Sequence, residues 1–253
     1  MNGIEPQMDD GAEYATNGLL TVAGQWKPLL AEAGLDTFDS LMMDETELRS
    51  RVADCQCVSS HQRGQSFRLT LSGGKVLYLK RDRFTPFQHI AFQMIRLRIP
   101  QPMSICEMIN CRRVQSLGLR TAPIVAFGQR RRMGLPHKAV LLTAPLEGIP
   151  LDEWLKGRTD AVARRKELRN TGAAVALLHG ASLIWRDLVP RHIYISPGLP
   201  IGLLDVERMR PARIRGNWRH ERHIKRFCKH LGRYGADEAE VSAFLEGLGA
   251  GRF

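Results

Sequence analysis

Residues 183–209 read LIWRDLVPRHIYISPGLPIGLLDVERM. Asp187 follows one short apolar run, Asp205 directly follows another, and a Pro/Gly-rich turn lies between them. Asp is a poor strand residue. Two of them flanking one apparent hairpin ask for a chemical reason, and the rest of the chain bears on what it is.

The chain has 253 residues, enough for one large domain or two smaller lobes. A hydrophobic fraction of 43% is ordinary for a soluble protein. No apolar run approaches the ~18 residues of a membrane-spanning helix. The opening MNGIEPQMDDGAEYA is acidic and polar, unlike a secretory signal, so a cytoplasmic location is expected. Cys55 and Cys57 form C-x-C, and Cys106 and Cys111 stand five apart. Neither spacing builds a zinc site, and reduced, mostly buried thiols are expected.

Lys plus Arg number 37 and Asp plus Glu 26, a net charge of +11. That balance favours anionic partners: nucleic acid, acidic lipid or phosphorylated substrates. The charge clusters in GQRRRMGLPHK (128–138) and in residues 208–233. Few aromatics accompany it, so no specific nucleic-acid partner is expected. A solvated basic surface is the plain alternative.

Residues 1–20 read as a disordered tail. Residues 21–146 read as mostly β with one helix, and 147–253 as mostly α, the join lying near 144–150. Strands are expected at 53–60, 66–71 and 75–81, with Gly73-Gly74 as a hairpin turn. Further strands are expected at 122–128 and 139–148. A helix is expected over 104–117, ended by Gly118, and a long one over 163–181. The order predicts an α+β fold of two lobes with a cleft between them.

Phosphoryl transfer needs a cation on the phosphates, metal ligands, and a carboxylate for the attacking hydroxyl. Lys80 ends the strand KVLYLK, on one face with Val76 and Tyr78. Alone it reads first as a lysine snorkelling from a strand end. Glu107 lies on an apolar helix face with Met103, Cys111 and Val114. Buried there it needs a partner, which Lys80 would be. Ser104 with Glu107 also fits a capping box, so both readings stand. Asp187 opens D-L-V-P-R-H, beside the kinase pattern H-R-D-L-x-x-x-N; Trp185 takes the His position and His192 the Asn position. Asp205 begins Asp-Val-Glu where kinases have Asp-Phe-Gly. The joint order Lys80, Glu107, Asp187, His192, Asp205 says more than any member alone.

Over roughly residues 21–245 the sequence resembles the lipopolysaccharide core kinases, the Kdo/heptose kinase family with a protein-kinase-like fold. The stretches that carry the resemblance are VLYLKRDRF, IRLRIPQPMSICEMINCRRVQSLGLRTAPIVAFG, VLLTAPLEGIPLDEWL, VALLHGASLIWRDLVPRHIYI and GLLDVERMRP. RLRIP and His192 point to the heptose-kinase branch. The resemblance implies a β-rich N-lobe, a helical C-lobe, ATP and Mg²⁺ as cofactors, and a core sugar, heptose or Kdo, as acceptor. It implies that Lys80 contacts the α- and β-phosphates and pairs with Glu107, and that Asp187 orients the sugar hydroxyl. Asp205 and His192 would hold magnesium, though His is a softer ligand than Asn and His192 would serve equally as a hydrogen-bond partner. Backbone groups of Leu142, Thr143 and Ala144 would meet adenine, and Gly64, the one glycine of SSHQRGQSF, would lie at the phosphates.

Such an acceptor is lipid-linked lipopolysaccharide core at the inner membrane. Peripheral attachment to its anionic cytoplasmic face is therefore expected, through runs 129–138 and 208–233 with Phe84, Phe87 and Ile90. The alternatives are a protein kinase and a non-catalytic nucleotide-binding scaffold. No A-P-E motif follows Asp205, which favours a non-peptide acceptor.

Overall fold

A computed structural model describes residues 14–17, 19–211 and 217–250. It divides into two compact units, one formed by residues up to Ile109 with Pro123–Pro145, the other by Asn110–Ala122 with residues from Leu146 on. In chain order the elements up to the second strand pair are β1 (Tyr14–Asn17), β2 (Leu20–Ala23), α1 (Lys27–Glu32), α2 (Phe38–Met42), α3 (Glu45–Arg51), β3 (Asp54–His61) and β4 (Gly64–Thr70). β5 (Val76–Asp82), α4 (Phe87–Ile95), α5 (Met103–Gln115), β6 (Arg120–Thr121), β7 (Ile124–Arg132) and β8 (Leu135–Thr143) follow. The remainder is β9 (Ile149–Pro150), α6 (Leu151–Gly157), α7 (Ala161–Gly180), β10 (Leu183–Ile184), β11 (Ile193–Ile195), β12 (Gly202–Leu203), β13 (Arg210–Pro211), α8 (Asn217–Arg233) and α9 (Glu238–Ala250).

The first unit is built on a seven-stranded sheet in the order β1-β2-β7-β8-β5-β4-β3, antiparallel throughout. Alternation explains β5: Leu77, Leu79 and Arg81 are buried while Tyr78 and Lys80 face the other way. Gly73 and Gly74 both have positive φ and join β4 to β5, as their sequence position predicts. α1, α2 and α3 cover the sheet with Leu30, Phe38, Leu41 and Leu48, which join Phe67, Leu69, Leu79 and Leu142 in one core.

Four readings change. Of the tail expected to be disordered, Tyr14–Asn17 pairs with β2, while residues 1–13 and 18 lie outside the described residues. The basic run 128–138 is a hairpin. β7 continues to Arg132 and β8 starts at Leu135, with Met133 and Gly134 both at positive φ in the turn. Polar residues on both faces of that ribbon removed the alternation that marks a strand. Ile90, expected at the surface, is buried and packs α4 inward. The second basic run, 208–233, falls partly outside the described residues. All five cysteines are free thiols, but only Cys55 and Cys111 are buried; Cys106 and Cys228 are half-buried and Cys57 is exposed.

The second unit is mostly helical, with a four-stranded sheet β6-β12-β11-β9 and the pair β10-β13. Asp160 caps α7 by accepting from the Val162 amide at 2.9 Å. Asp237 and Glu240 exchange side-chain-to-amide bonds of 2.8 and 3.0 Å, a reciprocal cap that starts α9. Glu240 also meets Arg164 at 2.6 Å, tying α9 to α7. The two helices touch through glycine. A Cβ on Gly172 would stand 2.1 Å from the Phe244 carbonyl oxygen, and one on Gly247 2.0 Å from that of Arg169. Phe227 of α8 and Phe244 of α9 stack with centroids 4.9 Å apart. Gly172→Ala should therefore destabilise by about 3 kcal/mol, as overpacked cores do, instead of gaining the helix propensity of Ala. Urea unfolding checks this, and a stabilised variant would mean that the helices part at no cost.

Candidate active site

In the first unit β5 presents Lys80 to α5. Lys80 Nζ donates to both oxygens of Glu107, at 2.8 and 2.6 Å. The Glu107 side chain is 8% exposed and that of Lys80 33%, so the carboxylate is the more deeply buried partner. The start of α5 resolves the two readings of Glu107. Ser104 gives its amide and its hydroxyl to Asp82, at 2.9 and 2.8 Å. The cap thus comes from the end of β5, and Glu107 turns to Lys80. Burial pushes the Asp82 carboxyl above its usual value, and the Ser104 bonds partly offset this.

Gly64 opens β4 opposite Asp82, after a two-residue turn, Gln62-Arg63. A Cβ there would lie 2.4 Å from the Arg81 carbonyl oxygen, so strand pairing itself demands glycine. An open pocket of about 460 Å³ lies at this turn, lined by His61, Gln62, Arg63, Phe84 and Pro86.

Leu142 is fully buried in the sheet core, and β8 is paired on both edges there, with Leu79 and Ala126. The amide of Ala144 donates to the Pro123 carbonyl at 2.9 Å. The expected adenine contact through Leu142 and the Ala144 amide therefore fails, because sheet formation takes those groups. Thr143, partly exposed at the strand end, remains.

In the second unit the two aspartates flank the β11–β12 hairpin, which pairs Ile193 with Leu203 and Tyr194 with Gly202. The Leu204 amide closes it on the His192 carbonyl at 2.8 Å. His192 Nδ1 donates to the Asp187 carbonyl at 2.9 Å, since a carbonyl only accepts. In neutral His192 the lone pair is then on Nε2, which stands 3.9 Å from Asp205 Oδ2. Asp205 has φ 57, a left-handed conformation that Asp tolerates better than most residues. Trp185 donates its indole N–H to the Asp205 carbonyl at 3.2 Å, so this ring N–H supports the loop where the kinase pattern has His.

Asp187 has two unlike oxygens. Oδ1 is 3.4 Å from Arg208, while Oδ2 is buried with no hydrogen-bond partner among the described residues. A buried acceptor without a donor is costly, and a hydroxyl from outside the protein would satisfy it.

Sequence reading missed three supports. Asn110 donates to the carbonyls of Val206 and Met209, at 2.9 and 3.0 Å, holding the turn after Asp205. Arg226 of α8 donates to the carbonyl of Arg186, next to Asp187. Arg208 pairs with Asp187. None belongs to a short motif; Arg226 could have been suspected only from the basic run. Around α8, burial and the cations Arg233, Arg226, Arg191 and Lys229 hold His230 below its usual value.

Among the described residues no group of three or more His, Cys, Asp or Glu is poised to hold a metal alone. His192 and Asp205 offer one nitrogen and one carboxylate. Mg²⁺ commonly takes only one or two carboxylates from protein and completes its shell with substrate phosphates and water, so the pair fits a metal carried on a nucleotide.

The model of the lipopolysaccharide kinase (Kdo/WaaP) family matches residues 59–247, about three quarters of the chain. The chain belongs to that family. Its matched span holds Lys80, Glu107, Asp187, His192 and Asp205. Lipopolysaccharide kinases are phosphotransferases, and this places the chain among the kinases of lipopolysaccharide biosynthesis. Among solved structures it is similar to one described as WaaP in complex with acyl carrier protein, at 17% identity and TM-score 0.64, over 91% of this chain and 88% of that one. The kinase-like α+β fold is thereby shown. In all 1820 chains of solved structures match, so such likeness identifies a fold and not a substrate. No curated protein sequence matches.

Proposed function

We propose that the protein transfers the γ-phosphate of ATP to a hydroxyl of a lipopolysaccharide inner-core sugar, heptose in preference to Kdo. The observation that carries this is the buried, unpartnered Oδ2 of Asp187 beside the His192–Asp205 pair. In the proposed step Oδ2 accepts the hydroxyl proton as the sugar oxygen bonds to the γ-phosphorus and the bond from phosphorus to the β-bridging oxygen breaks. Arg208 holds Oδ1, leaving Oδ2 as the proton acceptor. Lys80, oriented by Glu107, contacts the α- and β-phosphates. Asp205 and His192 Nε2 would hold Mg²⁺, which would neutralise charge on the phosphates. Thr143 and the segment beyond it line the adenine.

Heptose over Kdo rests on the sequence resemblance through RLRIP and His192. The positive charge near Asp187 (Arg186, Arg191, Arg226) suits an acceptor that already bears carboxylates or phosphates. The acceptor is proposed to be lipid-linked, placing the protein at the cytoplasmic face of the inner membrane. Among the described residues no helix is long and apolar enough to cross a membrane. Acyl carrier protein, recorded with the solved neighbour, is a further candidate partner.

The test is transfer of labelled phosphate from ATP and Mg²⁺ to core lipopolysaccharide lacking phosphate, beside a generic protein substrate. Product sugars separate heptose from Kdo. Transfer to protein and to no core glycan would replace this reading with that of a protein kinase.

A further inference from the structure

Two tips of the first unit carry large apolar side chains that the fold does not use. Leu97, just after α4, is 96% exposed, and Met133, in the β7–β8 turn, is 94% exposed. Both have left-handed backbone, with φ 53 and 50. That conformation disfavours side chains with a Cβ and suits Gly or Asn. Each position thus carries strain for a side chain that solvent surrounds, and outliers of this kind point towards function.

The tips are neighbours. Arg131, two residues before Met133, donates to the Pro100 carbonyl and to Gln101 Oε1, both at 3.2 Å, three and four residues beyond Leu97. Thr85 tethers the same hairpin through the His137 carbonyl at 3.4 Å. Phe87, Met94, Ile95 and Ile99 are also exposed, at 78, 54, 79 and 70%. Charge around them is of one sign. In the first unit, residues 83–109 and 123–145 hold seven Lys or Arg and one acid, Glu107, which is turned to Lys80. Arg96 lies over the Phe92 ring, 3.8 Å from its centroid. Asp39 reaches this region only to meet Arg130, at 2.7 Å.

We propose that this face docks on an anionic lipid bilayer, Leu97, Met133, Ile95 and Phe87 entering the interfacial layer while arginines meet lipid phosphates. Nearly complete exposure of separate tips, each with arginine beside it, suits a fluid interface, which needs no matching pocket. α4 has nine residues and is too short to span. The surface gains its biological sense from the lipid-linked acceptor proposed above, yet its test needs no turnover.

Full-length protein is sedimented with vesicles of phosphatidylethanolamine and phosphatidylglycerol, and with neutral phosphatidylcholine vesicles. It should follow the anionic vesicles, less so as salt rises. Leu97→Asn and Met133→Asn should each weaken that binding roughly tenfold or more. Both variants should melt no lower than wild type, because Asn accepts the left-handed backbone; a folding defect would lower it. Transfer to a water-soluble core oligosaccharide should stay unchanged. Wild-type affinity in the double variant, or no sedimentation of wild type at low salt, overturns the proposal. So does weakened binding of acyl carrier protein by the double variant with vesicle binding intact, which would assign the face to a protein. Vesicle binding as expected with no transfer by any form supports this surface and counts against the proposed reaction alone.

Discussion

Asp187→Asn is expected to lower phosphate transfer to a core sugar by about 10²–10⁴-fold, the usual contribution of a general base. Asn keeps the size of the side chain, and its carbonyl oxygen still accepts from Arg208. What it loses is an oxygen able to take a proton where the wild type has a buried acceptor without a donor. Nothing at this position is proposed to hold nucleotide, so ATP affinity should stay near wild type. Folding should not suffer either, since a buried charge is removed. Single-turnover transfer together with nucleotide titration separates the two effects. Full turnover by the Asn protein would remove the role assigned to Asp187.

The second large effect concerns Lys80. Lys80→Met leaves the Glu107 carboxylate, 8% exposed, without its cation. Breaking a buried pair from one side typically costs about 3–5 kcal/mol, most of it the stranded charge. Lys80→Met should lose stability on that scale and lose transfer as well. The double variant Lys80→Met/Glu107→Leu removes both charges and should regain most of the stability while staying inactive. Denaturant unfolding and phosphate transfer, measured on both proteins, test this. Recovered activity in the double variant would make the pair structural only. Recovered stability without activity assigns Lys80 to the reaction.

Much of the first unit was legible because its strands alternate. Leu77 and Leu79 against Tyr78 and Lys80 name the two faces of β5 by their period alone, and Gly73-Gly74 names its turn. Arg130–Arg132 was not legible as strand, because an exposed ribbon has no apolar face to reveal its period. The Glu107 ambiguity was also beyond local pattern. The donor that caps α5 goes to Asp82, 22 residues earlier, and only tertiary structure pairs Ser104 with it. At Asp187 and Asp205 the linear order was readable from spacing. The supports were not: Asn110 and Arg226 reach backbone carbonyls 96 and 40 residues away, and a carbonyl leaves no mark in sequence. Gly64 was read for a ligand, whereas the strand pairing gives it a reason of its own.

The glycine seam between α7 and α9 has a consequence for how the second unit opens. Around Gly172 and Gly247 the two backbones meet with no layer of side chains between them, and each glycine is covered by a carbonyl of the opposite helix. Rotamer changes cannot loosen such a contact, because no rotamers are involved. Solvent reaches those amides only when the helices separate as whole bodies, which also parts Glu240 from Arg164. Fraying of single turns there gives way to one cooperative event. The two helices therefore breathe together or not at all.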